Sequence, residues 1–269
     1  MPLPFTPIHL NFRRVALLAS GLLSLTLFGC GGGGNETPAE TLSTPPVGLK
    51  RDYQMTDTDN SNNVIPWQLE SNILSSAADG SFTVSFVGNG GNIAVNGTRY
   101  GTVNEVDTYN ANHALVGYTI QGTTPVTCTY DTPVPPLPSN LPTGTAWPIV
   151  VSHVACNNGI AFNISRQDGS AIGVESITVP AGTFSANKVQ YKRVISNSTN
   201  SSIKTEQHTI WYDTASGRLL QSNTDVTYAN TTFSSGYLAH EVQQLLTTAQ
   251  TCTTACGISA SSAKFWNVL

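Results

Sequence analysis

Five histidines and five cysteines are the side chains of this sequence best suited to metal binding or nucleophilic catalysis. No two histidines stand four residues apart, so the pair that zinc hydrolases place on one helix face is absent, and no G-x-S-x-G motif marks a nucleophilic serine. We therefore predict no catalytic residue, no metal site and no cofactor, and expect that the protein is not an enzyme. A hydrolase without a familiar motif is the alternative, and clustered carboxylates or a His–Asp pair in a cleft would favour it.

The segment 57–60, Asp-Thr-Asp-Asn, carries oxygen ligands of the kind that calcium prefers. An EF-hand loop starting at Asp57 would need glycine at its sixth position and glutamate at its twelfth. Asn62 and Gln68 occupy those positions. The sequence therefore predicts a solvated loop here.

The N-terminal stretch 13–30, RRVALLASGLLSLTLFGC, has two arginines followed by an apolar run. The run is too short to span a bilayer and has the layout of a secretory signal. Its end, Leu27-Phe28-Gly29-Cys30, resembles the lipobox of bacterial lipoproteins. The resemblance implies that residues 1–29 are a signal peptide, and that Cys30 becomes the N-terminus and carries diacylglycerol and an N-acyl chain such as palmitate. An ordinary signal peptide followed by an unrelated cysteine is the alternative.

Residues 30–48 follow as a Gly-, Pro- and Thr-rich segment that cannot bury a core, and we predict a flexible tether to the membrane. Gly31 stands where an aspartate would resemble the inner-membrane retention signal of enteric lipoproteins. This favours the outer membrane, with the protein facing the periplasm or the cell surface.

The four cysteines beyond Cys30 are even in number, as expected for disulfides in an oxidising envelope. Three pairings are possible, and we favour Cys128–Cys156 and Cys252–Cys256 because both close short loops. Each bridge would stabilise the fold by about 2–4 kcal/mol. A four-cysteine zinc site is the alternative, but the sequence has no C-x-x-C pair.

Charge and composition narrow the class of protein further. Removing residues 1–29 takes away Arg13 and Arg14, so the 12 basic residues of the chain fall by two while all 16 acidic residues remain, and the mature chain is mildly acidic. No basic stripe is available to neutralise phosphates, which excludes a nucleic-acid partner. Only 10% of the residues are charged, while Ser, Thr, Asn and Gly are abundant. This composition favours an all-β envelope protein.

Short alternating runs separated by turn residues predict one β-rich domain over residues 49–250. Five prolines between 131 and 147 predict a polyproline-like crossing.

The C-terminal region has a helical pattern. Leu238, Val242, Leu245, Leu246 and Ala249 share a helical face and predict one short C-terminal helix, with an edge strand as the alternative. Residues 251–269 are expected to be a disulfide-stapled tail. The predicted strands are 82–86, 93–95, 100–109, 114–121, 148–155, 160–166, 173–179, 186–196, 203–213 and 218–229.

The second half of the chain carries three phrases in order: L-P-x-G-x-x-W at 141–147, V-P-A-G-T-F-x-A-x-K-V at 179–189, and W-Y-x-x-x-x-G at 211–217. This pattern resembles bacterial envelope and lipoprotein families of unknown function. More distantly, it is similar to the half-open β-barrel of periplasmic lipoprotein carriers and the outer-membrane lipoprotein receptor. The resemblance implies a mainly antiparallel, curved sheet or half-open barrel, with a β-sandwich as the alternative fold.

Trp211 and Tyr212 are adjacent in the third phrase and would point to opposite faces of one strand. We therefore expect only one of these two side chains to be buried in the core.

We expect a non-enzymatic, lipid-anchored envelope protein whose concave sheet could bind a lipid or another apolar ligand. The alternative is a structural or interaction lipoprotein that recognises an envelope protein or a glycan through the 131–147 segment. Six aromatic residues are candidates either for lining an apolar ligand site or for simple core packing: Phe82, Phe86, Trp147, Phe162, Phe184 and Trp211.

Overall fold

A computed structural model of the chain describes residues 44–89, 93–95, 98–100, 104–136, 142–197, 201–229, 238–248 and 251–252. The predicted signal peptide, Cys30 and the tether as far as residue 43 lie outside these ranges, and so does Cys256. Within the described ranges, no helix is long and apolar enough to cross a membrane.

The described residues form β-strands joined by turns and short connections. The strands are β1 (Leu49–Asp59), β2 (Val64–Ser76), β3 (Phe82–Asn89), β4 (Ile93–Val95), β5 (Thr98–Tyr100), β6 (Asn104–Tyr109), β7 (Leu115–Ile120), β8 (Val126–Val134), β9 (Val150–Cys156), β10 (Ala161–Val179), β11 (Gly182–Ser196), β12 (Ser202–Asp213), β13 (Leu219–Tyr228), β14 (Leu238–Leu245) and β15 (Thr251–Cys252).

Twelve of these strands form a closed antiparallel barrel. Each pairs with its neighbour in the order β1, β2, β3, β6 to β14, and β14 then pairs with β1. The closing register places Tyr53 opposite Leu245 and Asp57 opposite Glu241. The hairpin β4–β5 is separate from the barrel, and β15 adds two residues beside the start of β1. The all-β, antiparallel prediction is confirmed, whereas the half-open barrel and the β-sandwich are wrong because the first and last long strands pair.

The predicted C-terminal helix is also wrong, because Leu238–Leu245 is strand β14. The alternative, an edge strand, is closer, but β14 is paired on both sides, with β13 and with β1. A helix here would leave the facing edges of those two strands without backbone partners, which outweighs the helical spacing of a few apolar residues.

Strands β10 and β11 form the longest hairpin, and β10 joins two predicted strands into one. The pairing with β11 shifts register between Gln167 and Ser170, and the 144–147 segment also lies alongside β10 at this point. Trp147 N donates to the Gly169 carbonyl and Ala171 N donates to the Thr145 carbonyl. The described part of the proline-rich segment therefore ends as a clasp on β10 that carries Trp147 into the core.

The interior of the barrel has two levels. At the end where β1 begins and β12 ends, which we call the apolar end, inward side chains such as Leu49, Tyr212 and Leu245 form a continuous hydrophobic core. At the opposite end, where β1 ends and β12 begins, the inward side chains are mostly charged; we call this the polar end. The candidate functional site lies at the polar end.

A disulfide joins Cys128 on β8 to Cys156 on β9, as predicted. The two cysteines are opposed in the register, and Cys128 is also opposite Tyr118 on β7. The second predicted bridge, Cys252–Cys256, lies partly outside the described residues. Cys252 belongs to the short strand β15, at the start of the predicted disulfide-stapled tail.

Candidate functional site

Glu206 is the centre of a charged network at the polar end. Arg193, its cross-strand partner, donates from Nε to Glu206 Oε2, and Lys204 Nζ lies 2.5 Å from Oε1. His208 Nε2 is 3.1 Å from Oε2. Burial alone would raise the pKa of Glu206, but the charge of Arg193, assisted by His208 and Lys204, holds it well below its usual range. Glu206 is therefore ionised at neutral pH.

His208 is held on three sides. Its Nδ1 lies 3.1 Å from Thr224 Oγ1, and its ring stacks on Tyr191 at 4.4 Å and 8°. Burial lowers the pKa of His208, although the hydrogen bond with Glu206 acts in the opposite direction. A neutral ring fits these contacts when Nε2–H donates to Glu206 and Nδ1 accepts from the Thr224 hydroxyl.

A second group of acids lies on β6, where Glu105 and Asp107 share the inner face. Tyr109 donates its hydroxyl to Asp107 Oδ2 at 2.9 Å. Burial, followed by the charge of Glu105, raises the pKa of Asp107 well above its usual value. Tyr118 and Tyr130, with ring centroids 6.1 Å apart, face the same space. Burial, reinforced by the Glu105 charge, raises the pKa of Tyr118 to about 12.

A third acidic pair spans the closure of the barrel, where Asp57 on β1 is opposite Glu241 on β14. Asp57 is 1% exposed, and both of its carboxylate oxygens are buried. Burial raises the pKa of Asp57 to about 6, and a hydrogen bond with the Trp67 indole acts against this. Burial also raises the pKa of Glu241 to about 7, with the charge of Asp57 as the next cause.

Solvent reaches the interior at this level. Arg193 follows Val189 and Tyr191 on the inner face of β11, yet 38% of its side chain is exposed. Its charge acts on Glu105 and on Glu241, which lie on other walls of the barrel. A twelve-stranded barrel is wider than the eight-stranded barrels that side chains just fill. The polar end therefore contains an accessible space that Arg193 enters.

We call the charged groups that surround this space the interior cluster. It holds five carboxyl groups and two basic residues, so acidic groups are in excess, and a neutral His208 adds no positive charge. In the part of the chain that the structure describes, no three His, Cys, Asp or Glu side chains are arranged to hold a metal ion. The interior cluster consists of Asp57, Glu105, Asp107, Arg193, Lys204, Glu206, His208 and Glu241.

The predicted aromatic residues lie mainly in or against the hydrophobic core. Phe82, Phe86, Trp147 and Trp211 are buried in it, and Phe184 packs against it half-buried. Phe162 is half-buried on β10, opposite Val154. The positions that were candidates for an apolar ligand site are thus largely occupied by side-chain packing.

Trp211 and Tyr212 are both buried, so the expectation that only one of them could be is wrong. Trp211 is covered from outside the barrel: its indole Nε1 donates to Glu175 at 2.6 Å, and Lys188 Nζ lies 5.2 Å from its ring centroid. Contacts with Glu175 and Lys188 therefore bury the Trp211 side chain although it points away from the barrel interior.

The remaining described histidines are separate from the interior cluster. His113 is buried in the turn between β6 and β7 and contacts Phe82 edge-on. His153 Nδ1 is 2.8 Å from Asn163 Oδ1, and His240 Nδ1 is 2.7 Å from Asp225, a residue exposed on the surface. The His240–Asp225 pair therefore does not lie in a cleft.

Asp57 was expected in a solvated loop, and this is wrong because Asp57 is the ninth residue of strand β1, at one of the buried, inward-facing positions. Asp59, two residues on, accepts from the backbone N–H groups of Ser61 and Asn63 at 2.8 Å each and so orders the turn into β2. The signal that was missed is the alternation Tyr53, Met55, Asp57, in which the acid continues the inward phase.

Comparison with known proteins gives only distant likenesses. No protein-family model and no curated protein matches the sequence. Similar solved structures include a proposed exported protein with a YmcC-like fold from Bacteroides fragilis, at 11% identity and a TM-score of 0.46, covering 77% of this chain and 98% of that one. They also include a proposed lipoprotein from Parabacteroides distasonis, at 12% identity and a TM-score of 0.40, covering 77% and 97%. The hypothetical lipoprotein YmcC from Escherichia coli matches at 11% identity and a TM-score of 0.37, covering 73% and 87%. These likenesses are too distant to place the chain in a family.

Proposed function

We propose that this protein is a lipid-anchored binding protein of the bacterial cell envelope, and that it holds a small polar ligand at the polar end of its barrel. The observation that carries the proposal is Arg193, which lies on the inner face of a closed barrel and still exposes 38% of its side chain. An accessible space lined by charged groups is a setting for selective binding. The anchor is inferred from residues 13–30, and the outer membrane from Gly31.

Binding explains the interior cluster better than catalysis does. Glu206 is ionised and already bonded to Arg193, Lys204 and His208, which makes it a poor general base. The carboxyl of Asp107 accepts from Tyr109. Although clustered carboxylates are present, no serine or cysteine nucleophile with an adjacent base is among the contacts of the described residues.

A polar ligand also fits better than the apolar one expected from the sequence. The aromatic residues Phe82, Phe86 and Trp147 are packed in the hydrophobic core. The side chains at the polar end of the barrel, which solvent reaches, are mostly charged. Recognition of a partner through the 131–147 segment is less well supported, because its described ends are engaged with β10. Arg166 Nη1 donates to the Pro135 carbonyl at 2.8 Å, and Trp147 is buried.

Two experiments test the proposal. Radioactive palmitate should label the wild-type chain and not the Cys30→Ser variant; label on the variant would show that the anchor is elsewhere. Native mass spectrometry of the full chain, released from detergent micelles, should detect a small-molecule adduct that is lost on denaturation. A bare mass in every preparation, with no binding in ligand screens, would contradict the binding function.

A further inference from the structure

One wall of the space at the polar end is apolar, in contrast to the charged groups around it. Ile164 on β10 and Ile195 on β11 are opposite each other in the register, as are Arg166 and Arg193. Each isoleucine lies two residues from one of these inward arginines, so its side chain also faces inward. Both isoleucines are only half-buried. Solvent therefore reaches them through the polar end of the barrel.

The same wall continues across β9 to β8. Val154 on β9 is fully buried, and it is opposite Tyr130 on β8 and Phe162 on β10. Tyr130 and Phe162 are half-buried. Inward side chains of this type form a surface on which an apolar group of a ligand can pack. We call Tyr130, Val154, Phe162, Ile164 and Ile195 the apolar wall.

Hydrogen-bond donors face the same space. Arg193 uses Nε on Glu206, and its two Nη groups bond to no described residue other than Glu206. The hydroxyls of Tyr118 and Tyr130 have no hydrogen bond with a described residue. Burial raises the pKa of both tyrosines, whereas the charge of Arg193 lowers it, so the guanidinium lies near both phenols. Donors from β7, β8 and β11 therefore converge on the space.

The neighbouring acids do not cancel this set of donors. Glu206 is one negative charge between two bases, Arg193 and Lys204. Glu105 and Asp107 are hydrogen-bonded to each other, and burial raises the pKa of both. These two acids therefore carry less negative charge than their number indicates. The Nη edge of Arg193 remains a positively charged donor that solvent reaches.

A carboxylate fits these donors. The end of a guanidinium group carries parallel N–H groups that match the two oxygens of a carboxylate. An ammonium group would meet donors instead of acceptors, and a phosphate would bring up to two negative charges close to Glu206. Ile195 lies two residues from Arg193 on the same face, so a ligand whose carboxylate reaches Arg193 places its other atoms beside the apolar wall.

We propose that the space at the polar end binds a small organic acid, with its carboxylate on the Nη edge of Arg193 and its apolar part on the apolar wall. This inference rests on the proposed binding function and names its ligand class. The Tyr130 hydroxyl would supply a second donor to the carboxylate. The bound acid would also cover the half-buried Ile164 and Ile195, which removes apolar surface from water.

The test is isothermal titration of the full chain in detergent micelles with 3-phenylpropionate, which carries a carboxylate and an aromatic group. The alcohol 3-phenylpropanol and the amine 3-phenylpropylamine replace the carboxylate by a neutral and a cationic group, and acetate lacks the apolar part. We expect 3-phenylpropionate to bind at least about tenfold more tightly than each of the other three. Titration into micelles without protein corrects for partitioning of the probes.

Two neighbouring residues on β11 provide a matched pair of variants. Ile195→Glu places a negative charge on the apolar wall and should weaken binding of 3-phenylpropionate about tenfold or more. Val194→Glu makes the same change one residue earlier, on the outer face of the barrel, and should bind like the wild type. Tyr130→Phe keeps the ring and removes the donor, so it should weaken binding about fivefold.

The outcomes separate the ligand class from the proposed function. Equal binding of the alcohol or the amine would overturn the carboxylate site, and so would equal affinities of Ile195→Glu and Val194→Glu. No binding of 3-phenylpropionate would also overturn it, while an adduct in native mass spectra would still support a ligand-binding barrel. The comparison of the four probes needs only the wild-type chain, so it decides the matter even if a variant fails to fold.

Discussion

Arg193 and Glu206 are directly opposed on β11 and β12 and form an ion pair, yet their surroundings differ sharply: the Glu206 side chain is 4% exposed and that of Arg193 is 38% exposed. The carboxylate depends on its protein partners for solvation, whereas the guanidinium also reaches solvent. The two residues should therefore respond differently to substitution.

Replacing Arg193 by Met should lower the free energy of unfolding by about 3 kcal/mol, because it leaves a buried carboxylate with only Lys204 and His208. Glu206→Gln should cost less, about 1–2 kcal/mol, because Arg193 can be hydrated. Urea unfolding of both single variants and the double variant gives the coupling energy. Strictly additive losses would mean that the pair does not interact in solution.

The same pair predicts a pH dependence. The pKa of Glu206 is held below its unfolded value of about 4.3. Its contribution to stability is therefore present above that value and is lost only as pH falls through the folded pKa. The loss measured for Glu206→Gln near pH 7 should shrink in strong acid, and a constant difference would contradict the network.

Asp57→Asn should stabilise the protein at high pH, in contrast to the loss of stability expected for Glu206→Gln. The pKa of Asp57 is raised to about 6, so the folded state holds a proton that the unfolded state releases above about pH 4. Stability from this group is complete at low pH and declines as pH rises through 6. We expect the variant to be more stable than the wild type by about 1–3 kcal/mol at pH 8 and similar to it at pH 4. Urea unfolding at the two pH values measures this, with Asp225→Asn as the unaffected control.

Gly169 lies against Trp147, and a Cβ added there would be 2.3 Å from Trp147 Cε3. Gly169→Ala should displace the indole or the clasp and lower the free energy of unfolding by about 1–3 kcal/mol. Gly122 has nothing within 4 Å of an added Cβ, so Gly122→Ala should stay within about 0.5 kcal/mol. Equal thermal midpoints for the two variants would show that Trp147 does not occupy this position.

Reduction of Cys128–Cys156 should lower the free energy of unfolding by about 2–4 kcal/mol, because the bridge restricts a loop in the unfolded chain. Dithiothreitol should shift the unfolding midpoint of the wild type more than that of a Cys128→Ala, Cys156→Ala variant, in which only the predicted Cys252–Cys256 bridge is left to reduce. Non-reducing peptide mapping supplies a separate check, since a free Cys128 thiol in the oxidised protein would contradict the pairing.

The sequence predicts most of the strands in the second half of the barrel because turn residues and period-two patterns agree there. The hairpin β11–β12, for instance, follows from two alternating runs around 197–202. Strands β1 and β2 are missed because Arg51, Asp57 and Asp59 take inward positions in β1 and interrupt its apolar phase. Closure is missed for a different reason: whether β14 meets β1 depends on the total number and tilt of the strands, which no local pattern contains.

The sequence pattern did not predict the interior cluster, because its charged residues also occupy inward positions of otherwise apolar alternations. Val189, Tyr191 and Arg193 alternate on β11, and the arginine has the phase of a core residue. On β12, Glu206 and His208 precede Ile210 in the same phase. A charged residue that continues an apolar alternation could have marked the site. Its partners, however, come from β1, β6 and β14, and only the closed barrel brings these strands together.

The pairing of β1 with β14 also constrains when the protein can become complete. Tyr53 and Leu245 are about 190 residues apart, and contacts of such long range form slowly because most of the chain must already be ordered. An exported chain that emerges from its N-terminus would have to keep the open edge of β1 until β14 arrives. The last step would then bring the Asp57 and Glu241 carboxyl groups together, so mild acid, which protonates them, should accelerate closure. A chaperone that covers the open edge of β1 would protect the chain from aggregation.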